Sequence, residues 1–200
     1  MIPKKKNKEL DAAEAAKILA AARKHVFTYG FNSLRIEDLA RQLATNVKKI
    51  YSYYRTKPLL VEAAIESKIA DIDRDMTAAE EGLSDPVERI SALLGVMSKH
   101  TAEFTLAYYN DLLEANPAFK EWLRTKLLEL YAKHFESLLS NGRRKKALLD
   151  EISLEVFIEI CRVASDPIFV VGIAKKYGVT NMPEIFERVN KILLKGLLGV

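Results

Sequence analysis

The chain has 200 residues, and 49% of them are hydrophobic, which is enough for a substantial core and excludes a disordered chain. Its single cysteine, Cys161, excludes an intrachain disulfide and a thiolate metal cluster, so a reducing cytoplasm is the expected location. No apolar stretch reaches the roughly 20 residues of a membrane helix, and the basic first residues precede a charged, alanine-rich helix rather than a signal core. We therefore expect no membrane partner and no export.

Charge is distributed unevenly along the chain. Residues 1–57 carry 13 lysines and arginines against 5 acidic residues, a net charge of +8. Residues 58–200 carry 18 against 22, a net charge of −4. A nucleic-acid-binding end joined to a neutral or acidic body has this pattern, so we predict a domain boundary at this point. The lysines at the start are either a flexible arm over DNA phosphates or only a solubilising tail.

Two helices are predicted before the most basic segment. The first runs from about Leu10 to Tyr29, and Gly30 follows where a left-handed residue would cap it. The second has an apolar stripe at three- and four-residue spacing, which must be buried. The residues expected to be buried are Ala15, Ile18, Leu19, Ala22, Val26 and Tyr29 on the first helix and Ile36, Leu39, Ala40 and Leu43 on the second. Ala44-Thr45 then interrupts the pattern.

The third predicted helix, residues 46–54, presents cations and hydroxyl groups on one face. Asn46 is a good N-cap, because its side-chain oxygen can accept a backbone N–H of the first turn. The helix divides into a buried face of Val47, Ile50 and Tyr54 and an outward face of Lys48, Lys49, Ser52 and Tyr53, with Tyr51 at the flank. Lysine neutralises phosphate or donates to guanine edges, and hydroxyl groups hold phosphate oxygens. The pattern predicts a helix that reads the DNA major groove; the alternative is a helical hairpin with a solvated lysine-tyrosine face.

Six further helices are predicted after the third. Thr56-Lys57-Pro58 combines an N-cap with a proline in the first turn and opens the fourth helix, which Gly82 ends. Asp85-Pro86-Val87-Glu88 resembles a capping box and opens the fifth helix, towards Phe104. The expected bounds of the last four are Thr105–Ala115, Pro117–Ser140, Asp150–Tyr177 and Asn181–Leu198. No segment alternates as a strand does, so the sequence predicts an all-α fold of about nine helices.

Residues 15–65 resemble the DNA-binding domain of the TetR family of transcriptional repressors. The residues that carry the resemblance are Ile18-Leu19, Ala21-Ala22, Gly30-Phe31, Asp38-Leu39-Ala40, Ile50-Tyr51, Tyr53-Tyr54, Lys57 and Leu60. The resemblance implies a homodimer in which residues 1–57, a helix-turn-helix domain, bind a palindromic operator. It also implies that residues 58–200 form a helical ligand-binding and dimerisation domain, and that a small-molecule effector releases the DNA.

The same resemblance assigns the DNA contacts. The expected DNA-binding residues are Arg35, Asn46, Lys48, Lys49, Tyr51, Ser52, Tyr53 and Lys57. Lys48, Lys49 and Tyr53 would reach base edges or nearby phosphates, whereas Tyr51 and Lys57 match positions that grip the DNA backbone. Lys57 is well placed at the start of the fourth helix, because its ammonium and the free N–H groups of the helix can meet one phosphate together.

Three departures from the family's pattern have physical consequences. Ala44 replaces the glycine common in the turn, which we expect to survive with Asn46 in place of the usual serine cap. Arg35 replaces a capping threonine, so the cap of the second helix is lost while a phosphate-binding cation is gained. Lys48 and Lys49 replace glycine and threonine, which raises electrostatic affinity and means that the operator differs from those of well-studied relatives.

The body contains more apolar surface than one core requires. Helices near 150–177 and 181–198 carry the excess, at Ile152, Val156, Ile160, Val163, Ile168, Ile185, Val189, Ile192, Leu193 and Leu197. The resemblance implies that these two helices form the homodimer interface; the alternative is that they simply pack onto helices five to seven, which we expect to be partly true in any case. The candidates to line an effector pocket are Met97, Phe104, Tyr108, Trp122, Phe157 and Cys161. Such a pocket would favour an apolar or aromatic ligand. The alternative is that these side chains are ordinary core.

Enzyme and metal motifs are absent from the sequence. There is no Gly-x-Ser-x-Gly, Cys-x-x-Cys, His-Glu-x-x-His or glycine-rich phosphate loop, so we expect no catalytic residue, metal site or cofactor. His25, His100 and His134 are isolated in sequence and are expected to be ordinary surface or core histidines. The alternative to a DNA-binding regulator is an all-helical small-molecule carrier or enzyme whose basic N-terminal hairpin is incidental.

Overall fold

Seven helices follow one another along the first three quarters of the chain. The computed structural model describes the backbone of residues 4–144 and single positions and short runs between residues 156 and 195, with side chains from residue 12 onward except at 86–87 and 136–144. The helices are α1 (Lys4–Tyr29), α2 (Ile36–Gln42), α3 (Val47–Tyr53), α4 (Lys57–Glu80), α5 (Pro86–Thr101), α6 (Leu106–Glu114) and α7 (Pro117–Arg144). Described positions further along, such as Val156 and Ile160, are also helical, and the described part of the chain holds no strand. The all-α prediction is confirmed.

The predicted helix starts are made by side-chain caps. Asn46 Oδ1 accepts the Lys49 backbone N–H at 2.8 Å, and Thr56 Oγ1 lies 3.3 Å from the Leu59 nitrogen. At the next helix, Asp85 Oδ1 accepts the Glu88 N–H at 3.2 Å. Each cap satisfies a donor that has no partner inside its own helix, so these three starts are fixed by local sequence.

Three helix ends differ from the prediction. The α1 helix begins at Lys4 rather than near Leu10, because the intervening lysines and glutamate are good helix formers. The α5 helix ends at Thr101, short of Phe104, since Thr105 caps the next helix by accepting the Tyr108 N–H. The α7 helix continues past Ser140, its predicted end, through Asn141-Gly142 to Arg144. Asparagine and glycine each cost a helix at most about 1 kcal/mol, which does not force it to end.

The chain divides by its internal contacts into two units, Met1–Lys68 and Ile69–Val200. The division falls inside α4, eleven residues after the boundary that charge suggested. The first part of α4 belongs with the first unit because its apolar residues are buried and because Arg23 Nη1 donates to Ser67 Oγ at 3.0 Å. Those buried α4 residues are Leu60, Val61, Ala64 and Ile65.

The first unit buries one apolar stripe from each helix. The core includes Ile18, Ala22 and Val26 of α1, Ile36, Leu39 and Ala40 of α2, and Ile50 of α3. Gly30, with φ +83°, ends α1 in the left-handed conformation that its position predicted. The prediction that Tyr29 is buried was wrong: its side chain is 61% exposed and its ring packs on His25.

In the second unit, α4, α5 and α7 share an apolar core. Its buried members are Ile72, Met76, Ile90, Leu93, Leu94, Met97, Leu130, Tyr131 and Phe135. None of the described helices combines the length and apolarity that a membrane crossing needs. Most of the helices predicted near 150–177 and 181–198 lies outside the described residues. Among the described positions there, Val156, Ile160 and Ile192 are exposed large apolar side chains.

Candidate nucleic-acid interface

A tight turn sets the position of α3 relative to α2. The Thr45 N–H donates to the Ala40 carbonyl at 2.9 Å, and the Ala44 N–H donates to the Arg41 carbonyl at 3.2 Å. These two bonds, with a left-handed residue between them, make a Schellman motif. Ala44 supplies that residue at φ +49°, the only non-glycine with a positive φ among the described residues. The turn therefore keeps its geometry without the usual glycine, at the cost of backbone strain.

The inner face of α3 is anchored to the rest of the first unit. Ile50 is fully buried, and the Tyr54 hydroxyl, just after the helix, donates to the Ala15 carbonyl of α1 at 3.2 Å. Burial raises the pKa of Tyr54 above 10.0, so the hydroxyl keeps its proton and remains a donor. The predicted division of α3 into an inner and an outer face is correct for these residues, and the outer face is held at a fixed rotation.

The outer face carries the predicted lysines and hydroxyl groups. Lys48, Lys49, Tyr51 and Ser52 are exposed, and Tyr53 is half-buried. The Ser52 hydroxyl donates to the Lys49 carbonyl at 2.7 Å. A phosphate oxygen only accepts hydrogen bonds, so Ser52 has to leave this carbonyl before it can donate to phosphate. The exposed Tyr51 therefore offers a hydroxyl donor more directly than Ser52 does.

The two lysines of this face are not equivalent. Lys49 Nζ lies 3.0 Å from Glu14 Oε1 of α1, and the two side chains are 45% and 24% exposed. Lys48, the next residue, has neither an ion pair nor a hydrogen bond to its side chain within the described part of the chain. One ammonium is therefore held against α1, while the other extends into solvent. Sequence alone missed this pair, since spacing within α3 says nothing about which residue of α1 lies opposite.

Lys57 lies at the first residue of α4 and is half-buried. Its Nζ donates to the Asn32 carbonyl at 2.9 Å, in the loop between α1 and α2. His25 lies nearby, with Nε2 at 3.0 Å from Ser33 Oγ. Burial, and then the Lys57 ammonium, lower the pKa of His25 below 6.5, while Asp38 acts in the opposite direction. Lys57 is thus fixed at a helix N-terminus, where its charge adds to the positive end of the helix dipole.

Arg35 precedes α2 at the N-cap position, with no side-chain hydrogen bond to the helix. The expected loss of the threonine cap is therefore confirmed in the geometry, and Glu37 and Asp38 in the first turn offset the loss by interacting with the helix dipole. The Arg35 side chain is exposed, like that of Lys48. Its guanidinium is consequently available to a phosphate.

The predicted pocket residues fall into separate surroundings. Met97 belongs to the core shared by α4, α5 and α7. Phe104 packs on Tyr108, with ring centroids 5.0 Å apart, and Trp122 packs on Phe119 at 5.4 Å. Tyr108 is buried, which raises the pKa of its hydroxyl and keeps it protonated. Phe157 and Cys161 lie outside the described residues.

An open cleft of about 770 Å³ lies along α4 in the second unit. Its lining is Arg74, Thr77, Ala78, Glu80 and Glu81. None of the predicted pocket residues belongs to this lining, in which four of the five residues are polar or charged. Within the described residues, no group of three or more histidine, cysteine or acidic side chains is arranged to hold a metal ion.

A cluster of charges in the second unit was not predicted. His134 of α7 places Nε2 2.7 Å from Asp73 Oδ1 and Nδ1 2.7 Å from Glu80 Oε2. Lys133 also donates to Asp73, at 2.6 Å, and Arg89 of α5 donates to Glu80 at 2.5 Å. His134 is buried, as one of the two expected alternatives stated, and two carboxylates lie against its ring. The available signal was the spacing of Asp73 and Glu80, which are seven residues apart and share one face of α4.

No family model matches the sequence. The Bacillus subtilis protein YvaF, described as an uncharacterized HTH-type transcriptional regulator, is 24% identical over 187 residues, which is 90% of this chain and 94% of YvaF. A TetR/AcrR-family transcriptional regulator from Thermobifida fusca superposes with a TM-score of 0.70 at 21% identity, covering 92% of this chain and 98% of that one. The regulator FadR from Bacillus subtilis, solved in complex with stearoyl-CoA, gives a TM-score of 0.68 at 16% identity, covering 91% and 98%.

Proposed function

This chain has the fold of TetR-family transcriptional regulators, and we propose that it is itself a ligand-responsive regulator that binds duplex DNA through α3. The observation that carries the proposal is the α3 face. A capped helix, entered by a Schellman turn and anchored on its inner side by Ile50 and Tyr54, presents two exposed lysines and an exposed tyrosine outward. A second helix held in this way is the part of a helix-turn-helix that enters the major groove.

The charged residues of the first unit suit the DNA backbone and the base edges differently. Lys57, fixed at the N-terminus of α4, and Arg35, exposed before α2, suit phosphates on either side of a groove. Lys48 extends from α3 and suits a guanine edge at the groove floor or a phosphate at the rim of the groove. Tyr51 and Tyr53 add hydroxyl donors for phosphate oxygens. Asn46 stays in its role as a cap, since its oxygen is used by the Lys49 N–H.

A homodimer on a palindromic operator follows from the same proposal. Two copies related by a two-fold axis place two recognition helices about one DNA turn, roughly 34–36 Å, apart. The exposed side chains of Val156, Ile160 and Ile192 support an apolar interface in the helices predicted near 150–177 and 181–198. We propose repression as the mode of regulation, with DNA released when an effector binds the body.

The effector is proposed to be apolar or aromatic. Met97, Phe104, Tyr108, Trp122, Phe157 and Cys161 remain the proposed lining residues. The FadR structure contains stearoyl-CoA, whose acyl chain is apolar, and this supports the same class of ligand for a body of the same fold. A bundle core of aromatic and sulfur-containing side chains is suited to such a ligand, because few of its groups compete for hydrogen bonds.

Sequence-specific DNA binding is tested most directly by selection from a library of random 30-base-pair duplexes. We expect a palindromic sequence to be enriched and to bind two protomers, as measured by fluorescence anisotropy and by mass of the complex. Replacing both lysines, Lys48→Ala with Lys49→Ala, should weaken binding to that sequence by about 100-fold or more while helicity is unchanged.

The matched control is Lys175→Ala with Lys176→Ala, which removes two neighbouring exposed lysines from the second unit. It should bind the selected sequence as the wild type does. If no sequence is enriched, or if the control loses as much affinity as the α3 variant, the recognition helix is wrongly assigned. The carrier or enzyme alternative then accounts better for the fold.

A further inference from the structure

Glu14 is the one acidic side chain that touches the outer face of α3 among the described residues. Acidic residues are rare in this part of the chain, with only five in residues 1–57. A carboxylate beside the recognition helix repels the phosphates of DNA and so weakens binding. The other described carboxylates of this segment, Glu37 and Asp38, lie in the first turn of α2. Glu14 therefore stands apart, because it neutralises a cation that the proposed DNA surface would use.

The contact between Glu14 and Lys49 rests on a well-anchored part of the first unit. Glu14 is half-buried on α1, and the next residue, Ala15, accepts the Tyr54 hydroxyl at 3.2 Å. The Lys49 ammonium and the Tyr54 hydroxyl are thus bound to consecutive residues of α1. Because α3 is fastened to α1 at this point, the Glu14 carboxylate stays within reach of Lys49 rather than meeting it by chance.

We propose that Glu14 is a positioning residue of the DNA-binding face, which holds the Lys49 ammonium against α1 so that sequence-independent binding to phosphate uses Lys48 and not Lys49. The inference rests on the proposed function, because it concerns how α3 meets duplex DNA. To bind a phosphate, Lys49 has to leave Glu14, and the bare carboxylate would then face the DNA with the same sign of charge. That repulsion removes most of the gain from the new contact.

The consequence is a division between the two adjacent lysines. Lys48 contributes one phosphate contact to any duplex, whatever its sequence. Lys49 contributes little until Glu14 is removed or neutralised. A regulator gains from such restraint, since sequence-independent binding to the rest of the genome competes with the operator.

The test uses a mixed-sequence 30-base-pair duplex labelled with fluorescein, so no operator has to be known. Affinity is measured by anisotropy across a KCl series for the full chain and its variants. Each phosphate contact contributes about 0.9 to the slope of log affinity against log salt. Glu14→Gln should steepen the slope by about 0.9 and raise the affinity about threefold at low salt. Lys48→Met should make the slope shallower by about 0.9.

Two further variants separate the proposed contact from a general effect of charge. Glu37→Gln removes one negative charge from an exposed position of the same unit, and it should leave the slope unchanged. Glu14→Gln combined with Lys49→Met should return the slope to the wild-type value, because the released ammonium is gone. Exposed ion pairs contribute little to stability, so all the variants should melt within a few degrees of the wild type.

The failures are distinguishable. If Glu14→Gln and Glu37→Gln change the slope equally, or if the gain persists with methionine at position 49, Glu14 does not position Lys49 and the inference is wrong while DNA binding stands. If the wild-type chain does not bind the duplex even at low salt, the proposed function itself is wrong. A steeper slope that depends on Lys49 is the only result that supports the inference.

Discussion

The two units place their charged side chains in opposite surroundings. In the first unit, Arg35 and Lys48 are exposed and make no ion pair with described residues. In the second unit, His134 is 4% exposed and lies between Asp73 and Glu80. The first arrangement leaves cations available to a partner, whereas the second uses charge to join helices within the fold. The net charge of a segment indicates cations that are available to a partner. It does not reveal charges that join helices, because paired charges cancel in the sum.

The cluster around His134 joins three helices of the second unit. Asp73 and Glu80 come from α4, Arg89 from α5, and His134 from α7. Each ring nitrogen of His134 lies 2.7 Å from a carboxylate oxygen, so one side chain of α7 bridges two residues of α4. The cluster therefore connects α4 to both α5 and α7 through charged side chains.

The largest expected change in the free energy of unfolding comes from replacing His134 of the second unit. Replacing His25 of the first unit is the comparison. His134→Ala should lower the free energy of unfolding by about 2–3 kcal/mol, because a buried ring that bridges two carboxylates is lost, although Lys133 and Arg89 still pair with them. His25→Ala removes a half-buried ring bonded to Ser33 and should cost less than about 1 kcal/mol. Urea unfolding at pH 7 measures both. Equal losses would mean that the second unit does not depend on its internal charges more than the first.

A smaller effect, with a defined pH dependence, is expected at Asp73. The hydrogen bond from Lys133, and then that from His134, hold the pKa of Asp73 below 3.8, against the opposing effect of burial. A lowered pKa means that the ionised carboxylate stabilises the fold above pH 3.8, and that this stabilisation is lost as the pH falls through the lowered value. Asp73→Asn should therefore cost about 1–2 kcal/mol at pH 7.

The difference between Asp73→Asn and the wild type should narrow as the pH falls below 3.8. Chemical unfolding at a series of pH values measures it. Glu114→Gln, an exposed carboxylate at the end of α6, is the control and should differ from the wild type by a constant small amount. A constant difference for Asp73→Asn as well would show that its charge is not coupled to the fold.

Local features of the fold could be predicted from sequence, and contacts between distant residues could not. The caps at Asn46, Thr56 and Asp85 were predicted because each involves residues three apart. The pairs of His134 with Glu80 and Asp73 join residues 54 and 61 positions apart. Helical periodicity gives the face on which a residue lies, but not the residue of another helix that it meets.

The same limit applies to the candidate site. The outward face of α3 follows from its own spacing, so the exposed lysines and tyrosines were predicted as a set. The difference between Lys48 and Lys49 was not predicted, since it depends on Glu14 of α1 lying opposite Lys49. The pocket residues were chosen by chemistry alone, and the described contacts place Met97 in a different cluster from the Phe104 and Tyr108 pair.

The smallest expected effect concerns the backbone of the first unit rather than its charges. Ala44 holds φ +49° at the end of α2, where a residue with a Cβ is strained and glycine is not. Ala44→Gly should relieve that strain, and after the greater chain entropy of glycine is subtracted the gain is about 0.5–1 kcal/mol. Ala44→Val should lose more than that, because a β-branched side chain tolerates this conformation least.

Thermal melting of the two Ala44 variants then reports on what limits the stability of the turn. A higher melting temperature for Ala44→Gly and a lower one for Ala44→Val would show that backbone geometry in the turn limits stability. The lysines of α3 would then not be needed to hold the turn. Such a turn can be made more stable without changing the charges that α3 presents. In the second unit, by contrast, the side chains that carry charge also connect helices, so we expect substitution of His134 or Asp73 to change both the charge and the stability. If both variants melt as the wild type does, the turn is not strained and the comparison loses this support.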